Sequence, residues 1–171
     1  MVALFALLTQ VAALRAPFGD DDLPRRILLV ASYLLLLTFV AANLNRIGIA
    51  VIGVGLLLNF AAILANGGLM PITLETALKS GTLPADARLG HWLPGSKDVL
   101  LERGNVHLWF LGDRFTWDAV SSVVRAFSLG DVVLMLGVAV TVLDLFTPRL
   151  VSEGAEGLPA DASSQERGHL R

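Results

Sequence analysis

Two apolar runs set back to back, Leu23–Val40 and Ile47–Ala65, constrain this chain more than anything else in it. The first carries only the Arg25–Arg26 pair at its mouth, and the second carries no charge at all. A tight Asn43-Leu44-Asn45-Arg46 connection joins them. At ~1.5 Å per residue, each run is about long enough as a helix to cross a ~30 Å hydrocarbon layer. The chain is therefore read as an integral membrane protein.

Periodicity and stop signals place four hydrophobic helices at about residues 2–14, 23–43, 46–66 and 129–147. The first, at 13 apolar residues from Val2 to Leu14, is too short to cross unaided. It lacks the basic start and cleavage site of a secretory signal. Asp21 or Asp22 is placed to cap the second helix, with Pro24 in its first turn. Asn66-Gly67-Gly68 with Pro71 behind it stops the third.

The 62 residues from Gly67 to Ser128 are too many for a plain connector. A short helix from Thr73 to about Ser80, a loop over Gly81–Gly95, a strand-like or interfacial run at Val106–Leu111 and a helical spacing over Trp117–Phe127 are expected there. Trp92, Trp109 and Trp117 all fall in this segment, and such rings suit the headgroup layer. The fold expected is all-α: an integral membrane helical bundle with three full-length transmembrane helices, a short N-terminal hydrophobic helix and a membrane-surface cap. The bundle takes residues 1–147, the cap within it 67–128, and a polar tail 148–171. Arginines and lysines gather at the cap end, so the positive-inside rule places the cap in the cytoplasm.

Composition narrows the chemistry. There is no cysteine, which excludes disulfides, thiol catalysis and cysteine metal sites. His91, His107 and His169 lie too far apart to form a ligand pair, so neither a metal nor any other cofactor is expected. A net charge of -2 argues against a nucleic-acid partner. The expected partners are the lipid bilayer and other membrane protein subunits, in a bacterial cytoplasmic (inner) membrane.

Three constellations stand out. On the third helix Asn45, Gly48, Ile52, Gly55, Asn59, Ala62 and Asn66 recur at steps of three or four and share one face. With Gly67 and Gly68 they make either a helix-packing seam or an amide-lined ligand groove. Ser128 and Asp131 have the spacing of a capping box at the start of the fourth helix. Asp113, next to Arg114, reads as a turn residue in a surface salt bridge. Paired with Asp131 it would instead form a carboxyl dyad able to activate water for peptide hydrolysis. Asp144, near the end of the fourth helix, reads as interfacial.

These strings carry a resemblance. Asn43, the Gly55–Asn59 stretch, Asn66-Gly67-Gly68-Leu69-Met70-Pro71, Leu111-Gly112-Asp113 and Phe127-Ser128-Leu129-Gly130-Asp131-Val132 resemble a bacterial family of small multi-pass membrane proteins, a domain of unknown function. The likeness covers roughly residues 27–145; it implies the membrane fold and no activity. Asp113-Arg114 and Phe127-Ser128-Leu129-Gly130-Asp131 are also similar to the acid-bearing strings of lipoprotein signal peptidase, an aspartyl protease of the bilayer. There Phe110 and Ser128 stand where that family has asparagine. The function expected is a non-enzymatic accessory or assembly subunit of a larger membrane complex. The alternatives are an aspartyl peptidase using Asp113 and Asp131, and a component of a small-molecule transporter.

Overall fold

The structure, a computed structural model, describes residues 1–18, 22–116 and 126–146. In hydrocarbon a backbone N–H or C=O has no water to bond, so apolar runs close their hydrogen bonds internally as helices. That gives α1 (Val2–Arg15), α2 (Leu23–Ala41), α3 (Ile47–Ala65) and, after the cap, α5 (Leu129–Phe146). Of these α2, α3 and α5 are long and apolar enough to span a membrane, and α1 is a shorter apolar helix.

The helices end where the sequence places their stops. Asn43 turns its amide onto Phe39 O at 2.7 Å as the chain reverses between α2 and α3. At the end of α3, Gly68 N–H bonds Ile63 O at 2.8 Å and Gly67 N–H bonds Leu64 O at 3.3 Å, a Schellman closure. Gly67 supplies its left-handed residue, with φ +74°. Asp22 does occupy the position before α2, but its side chain makes no capping hydrogen bond and pairs with Arg25 instead, at 3.7 Å. Asp21 lies outside the described residues.

The cap departs from a purely helical reading. It holds β1 (Met70–Thr73), α4 (Leu74–Ser80), β2 (Asp98–Leu101), β3 (Phe115–Thr116) and β4 (Ala126–Phe127). β1 pairs in parallel with β2, Met70 opposite Asp98, and β3 pairs with β4 in antiparallel fashion. On its other side β1 meets Asp113, whose N–H donates to Pro71 O at 3.0 Å. Leu69 to Ile72 is thus buried on all sides. Outside the hydrocarbon, strand pairing can satisfy the backbone as well as a helix does, which is why a mixed cap sits on a helical bundle.

Val106–Leu111 is not a strand. Leu108 takes a left-handed φ of 51° and leads into one turn of 3-10 helix at Trp109–Leu111. The reason is local: His107 N–H donates to Asn66 Oδ1 at 3.0 Å and its C=O accepts from Asn66 Nδ2 at 2.8 Å, so this backbone is tied to a helix end. Most of the helical spacing over Trp117–Phe127, and the tail at 148–171, lie outside the described residues.

α3 packs chiefly on α5, α2 packs on both α1 and α3, and the cap closes one end of the bundle. The core runs from Leu29, Tyr33 and Val40 of α2 through Leu56 and Ile63 of α3 to Leu69, Met70 and Val99 of the cap.

Candidate functional site: a charge lock between cap and bundle

The residues singled out on α3 divide in two. Gly48, Ile52, Gly55 and Asn59 form a packing seam against Gly130, Leu134, Gly137 and Thr141 of α5. A Cβ on Gly55 would lie 2.6 Å from Leu134 N and 2.7 Å from Gly130 O, and one on Gly48 would lie 2.7 Å from Thr141 N. Backbone meets backbone here, as small residues in lipid allow. Asn45 does not join the seam: it is exposed in the turn before α3. Nor do Asn59 and Asn66 line an open groove. Asn59 is only 1% exposed, and both amides are spent on fixed partners.

Those partners define the site. Ser128 and Asp131 make the expected capping box: Ser128 Oγ accepts from Asp131 N–H, and Asp131 Oδ2 accepts from Ser128 N–H, both at 3.0 Å. Asn59 reaches across from α3 and ties the box to the seam. Its Nδ2 donates to Asp131 Oδ1 at 2.7 Å, and its Oδ1 accepts from Ser128 Oγ at 2.7 Å. Tyr33 of α2 faces the same group, beside Asn59.

From the cap comes Lys97, whose Nζ lies 3.2 Å from Asp131 Oδ2 and 3.7 Å from Asp113 Oδ1. Its carbonyl accepts from Met70 N–H at 2.9 Å, so strand pairing fixes where the ammonium stands. Asp113 is therefore not a surface turn residue paired with Arg114. It is 3% exposed and sits with Lys97 because its backbone is drawn in against β1.

Asp98, half of the first pair in the β1–β2 ladder, completes the cluster. The buried Asp98 and Asp113 carboxyls lie near enough to feel each other's charge, and both feel Lys97. Each has a buried Oδ1 with no hydrogen-bond partner. Burial pushes the Asp113 carboxyl well above the ordinary range; Lys97 opposes this, and Asp98 and Asp131 add to it. Burial raises Asp98 as well, again against Lys97. For Lys97 burial would lower the pKa, but Asp113, Tyr33, Asp131 and Asp98 carry it well above the usual lysine value.

A single ammonium thus bridges Asp113 of the cap and the head of α5. Sequence reasoning found Asp113, Asp131 and Asn59 but passed over Lys97 and Asp98. The available signal was two adjacent charges directly before the apolar Val99-Leu100-Leu101 run.

A second lock lies at the other edge. Arg25, 2% exposed, donates to Ala13 O of α1 and stacks its guanidinium 3.4 Å from the Trp92 ring centroid, with Phe18 on a further side at 5.3 Å. This one side chain joins α1, α2 and the loop before β2.

Asp113 also borders an open cleft of about 250 Å³ in the cap, lined by Thr73, Lys79, Arg103, Trp109 and Arg114 among others. Among the described residues no group of three or more acids or histidines is arranged to hold a metal ion. Asp144 is exposed in the last turn of α5.

The model of a family described as "Family of unknown function (DUF5317)" matches residues 2–143, and the chain belongs to that family. No curated protein and no solved structure matches it.

Proposed function

We propose that this member of the DUF5317 family is a non-enzymatic accessory or assembly subunit, seated in a bacterial inner membrane and packed against a larger membrane complex. The observation that supports the reading best is the charge lock. Lys97 ties the cap to Asp131 at the head of α5, Asn66 ties it to the end of α3 through His107, and Asn59 holds the Ser128–Asp131 box on α3. A cap fastened at both points is suited to presenting a surface. That surface carries Leu74 and Leu78 of α4, four residues apart and both exposed, outside the membrane-spanning helices.

Extraction in a mild detergent followed by mass spectrometry tests the proposal. The chain should migrate in a defined assembly with a recurrent membrane-protein partner, and the Leu74→Asp, Leu78→Asp double variant should release it. A monodisperse single species, or an assembly indifferent to that variant, overturns it.

A second reading has one observation in its favour. Asp113 and Asp131 converge on Lys97 and Asp113 borders the cap cleft, as an aspartyl peptidase would need. Against it, the ammonium holding Asp131 favours a fixed charge there over a proton shared with Asp113. Asp131→Asn abolishing hydrolysis of a membrane peptide, in a protein still folded by circular dichroism, would establish the peptidase; hydrolysis absent from the wild type removes it.

A further inference from the structure

On the bilayer side of the bundle, α2 and α3 leave an apolar groove walled by Ile27, Val30, Ala31, Leu34 and Leu64. Gly67 and Gly68 form its rim, and Arg26 stands at its mouth. The groove is a consequence of sequence: α2 carries the small Ala31 on this face, and α3 stops in two glycines. A Cβ on Gly67 would lie 3.0 Å from Arg26 Nη1, and one on Gly68 3.0 Å from Arg26 Cβ, so the arginine keeps its place because neither residue has a side chain.

Arg26 Nη1 donates to Gly67 O at 2.6 Å, which fixes the guanidinium at the end of α3. Among the described residues no carboxylate pairs with it. Its remaining N–H groups keep their donor capacity, in the first turn of a membrane-spanning helix where headgroups meet hydrocarbon.

We propose that this groove is a binding site for an anionic phospholipid, with one acyl chain along the Ile27–Leu34 wall and the phosphate on Arg26. Charge complementarity selects the occupant. The walls are apolar, and among the described residues the charge that lines the mouth is a fixed cation at headgroup depth. A zwitterionic lipid offers the same chain and phosphate but adds a cationic group next to the guanidinium.

Native mass spectrometry of the full chain released from nanodiscs tests this, with phosphatidylglycerol and phosphatidylcholine present in equal amounts. The expected result is one retained lipid per chain, phosphatidylglycerol favoured at least fivefold. Arg26→Gln should bring that ratio to about one, and Arg26→Lys should keep most of it. Ala31→Phe, which fills the groove and leaves Arg26 in place, should lower retention of both lipids. Equal retention of the two lipids by the wild type overturns the proposal, as does an unchanged ratio in Arg26→Gln. Should Arg26→Gln fail to fold, unchanged retention in Ala31→Phe is the overturning result.

Discussion

At the scale of single residues, Asn59, Asn66 and Asp131 are each tied by hydrogen bonds to a partner on another element. Asn59 illustrates the consequence. Leucine at this position keeps the branching of the side chain but removes the acceptor of Ser128 Oγ–H and the closest donor to Asp131 Oδ1. A loss of about 1–3 kcal/mol follows from unpaired buried groups. We expect Asn59→Leu to lower the midpoint of thermal unfolding in detergent by several degrees, read by circular dichroism. Asp113 makes a different prediction. Its raised pKa means that the folded protein holds a proton that the unfolded chain gives up. Its contribution is therefore fully present below the ordinary carboxyl pKa and is lost as pH rises through the raised one. Asp113→Asn, a neutral isostere, should flatten that part of the stability profile and be at least as stable as the wild type on its alkaline side. A steeper decline in the variant would contradict the raised pKa of the buried Asp113.

At the scale of elements, the α3–α5 seam is defined by how closely two backbones approach. Gly55 faces the main chain of α5, which cannot move aside. Gly53 faces one methyl of the Val40 side chain on α2, where a side chain and not main chain has to give way. Gly55→Ala should therefore cost about 2 kcal/mol or more and Gly53→Ala less than about 1 kcal/mol, read as the difference in unfolding midpoint between the two variants. α1 is held on the bundle chiefly by α2 among the long helices, through buried Ala6 and Ala13 and the Arg25 clamp. Removing that clamp in Arg25→Ala should expose the Ala16–Phe18 region to limited proteolysis while α2 and α3 stay protected.

At the scale of the whole molecule, the cap and the Asn43–Arg46 turn lie at opposite ends of the bundle, because α2 and α3 are an antiparallel pair. The absence of cysteine makes this directly measurable. Single cysteines at Leu89 and at Asn45 should react with a membrane-impermeant maleimide from opposite sides of sealed vesicles. With the arginines and lysines gathered at the cap end, Leu89→Cys should be the one protected in intact cells. Labelling of both from one side would mean that the α2–α3 pair does not cross the membrane. Lys97→Met separates lock from fold: it leaves Asp131 without its cation and should cost about 2–3 kcal/mol, the ions being about a quarter exposed. Hydrogen exchange should then quicken first in β1 and β2, and α3 and α5 should keep their protection.

What could be read from the sequence was whatever rests on local or one-dimensional rules. Unbroken apolar length dictated the spans, glycines and Asn66 the end of α3, and the Ser128–Asp131 spacing the box that begins α5. The seam was legible in its Gly48–Gly55–Asn59 stretch, because helical periodicity projects onto a face without knowledge of the partner. Asn45 was misplaced since periodicity alone does not tell where a helix begins. The tertiary structure alone decided the rest. The strands of the cap, the burial of Asp113 and the convergence of Lys97, Asp98 and Asp131 depend on pairings between residues thirty or more positions apart or across a strand ladder. No local propensity encodes such distances; they follow from Leu69–Ile72 being drawn under the cap and bringing their neighbours' charges in with them.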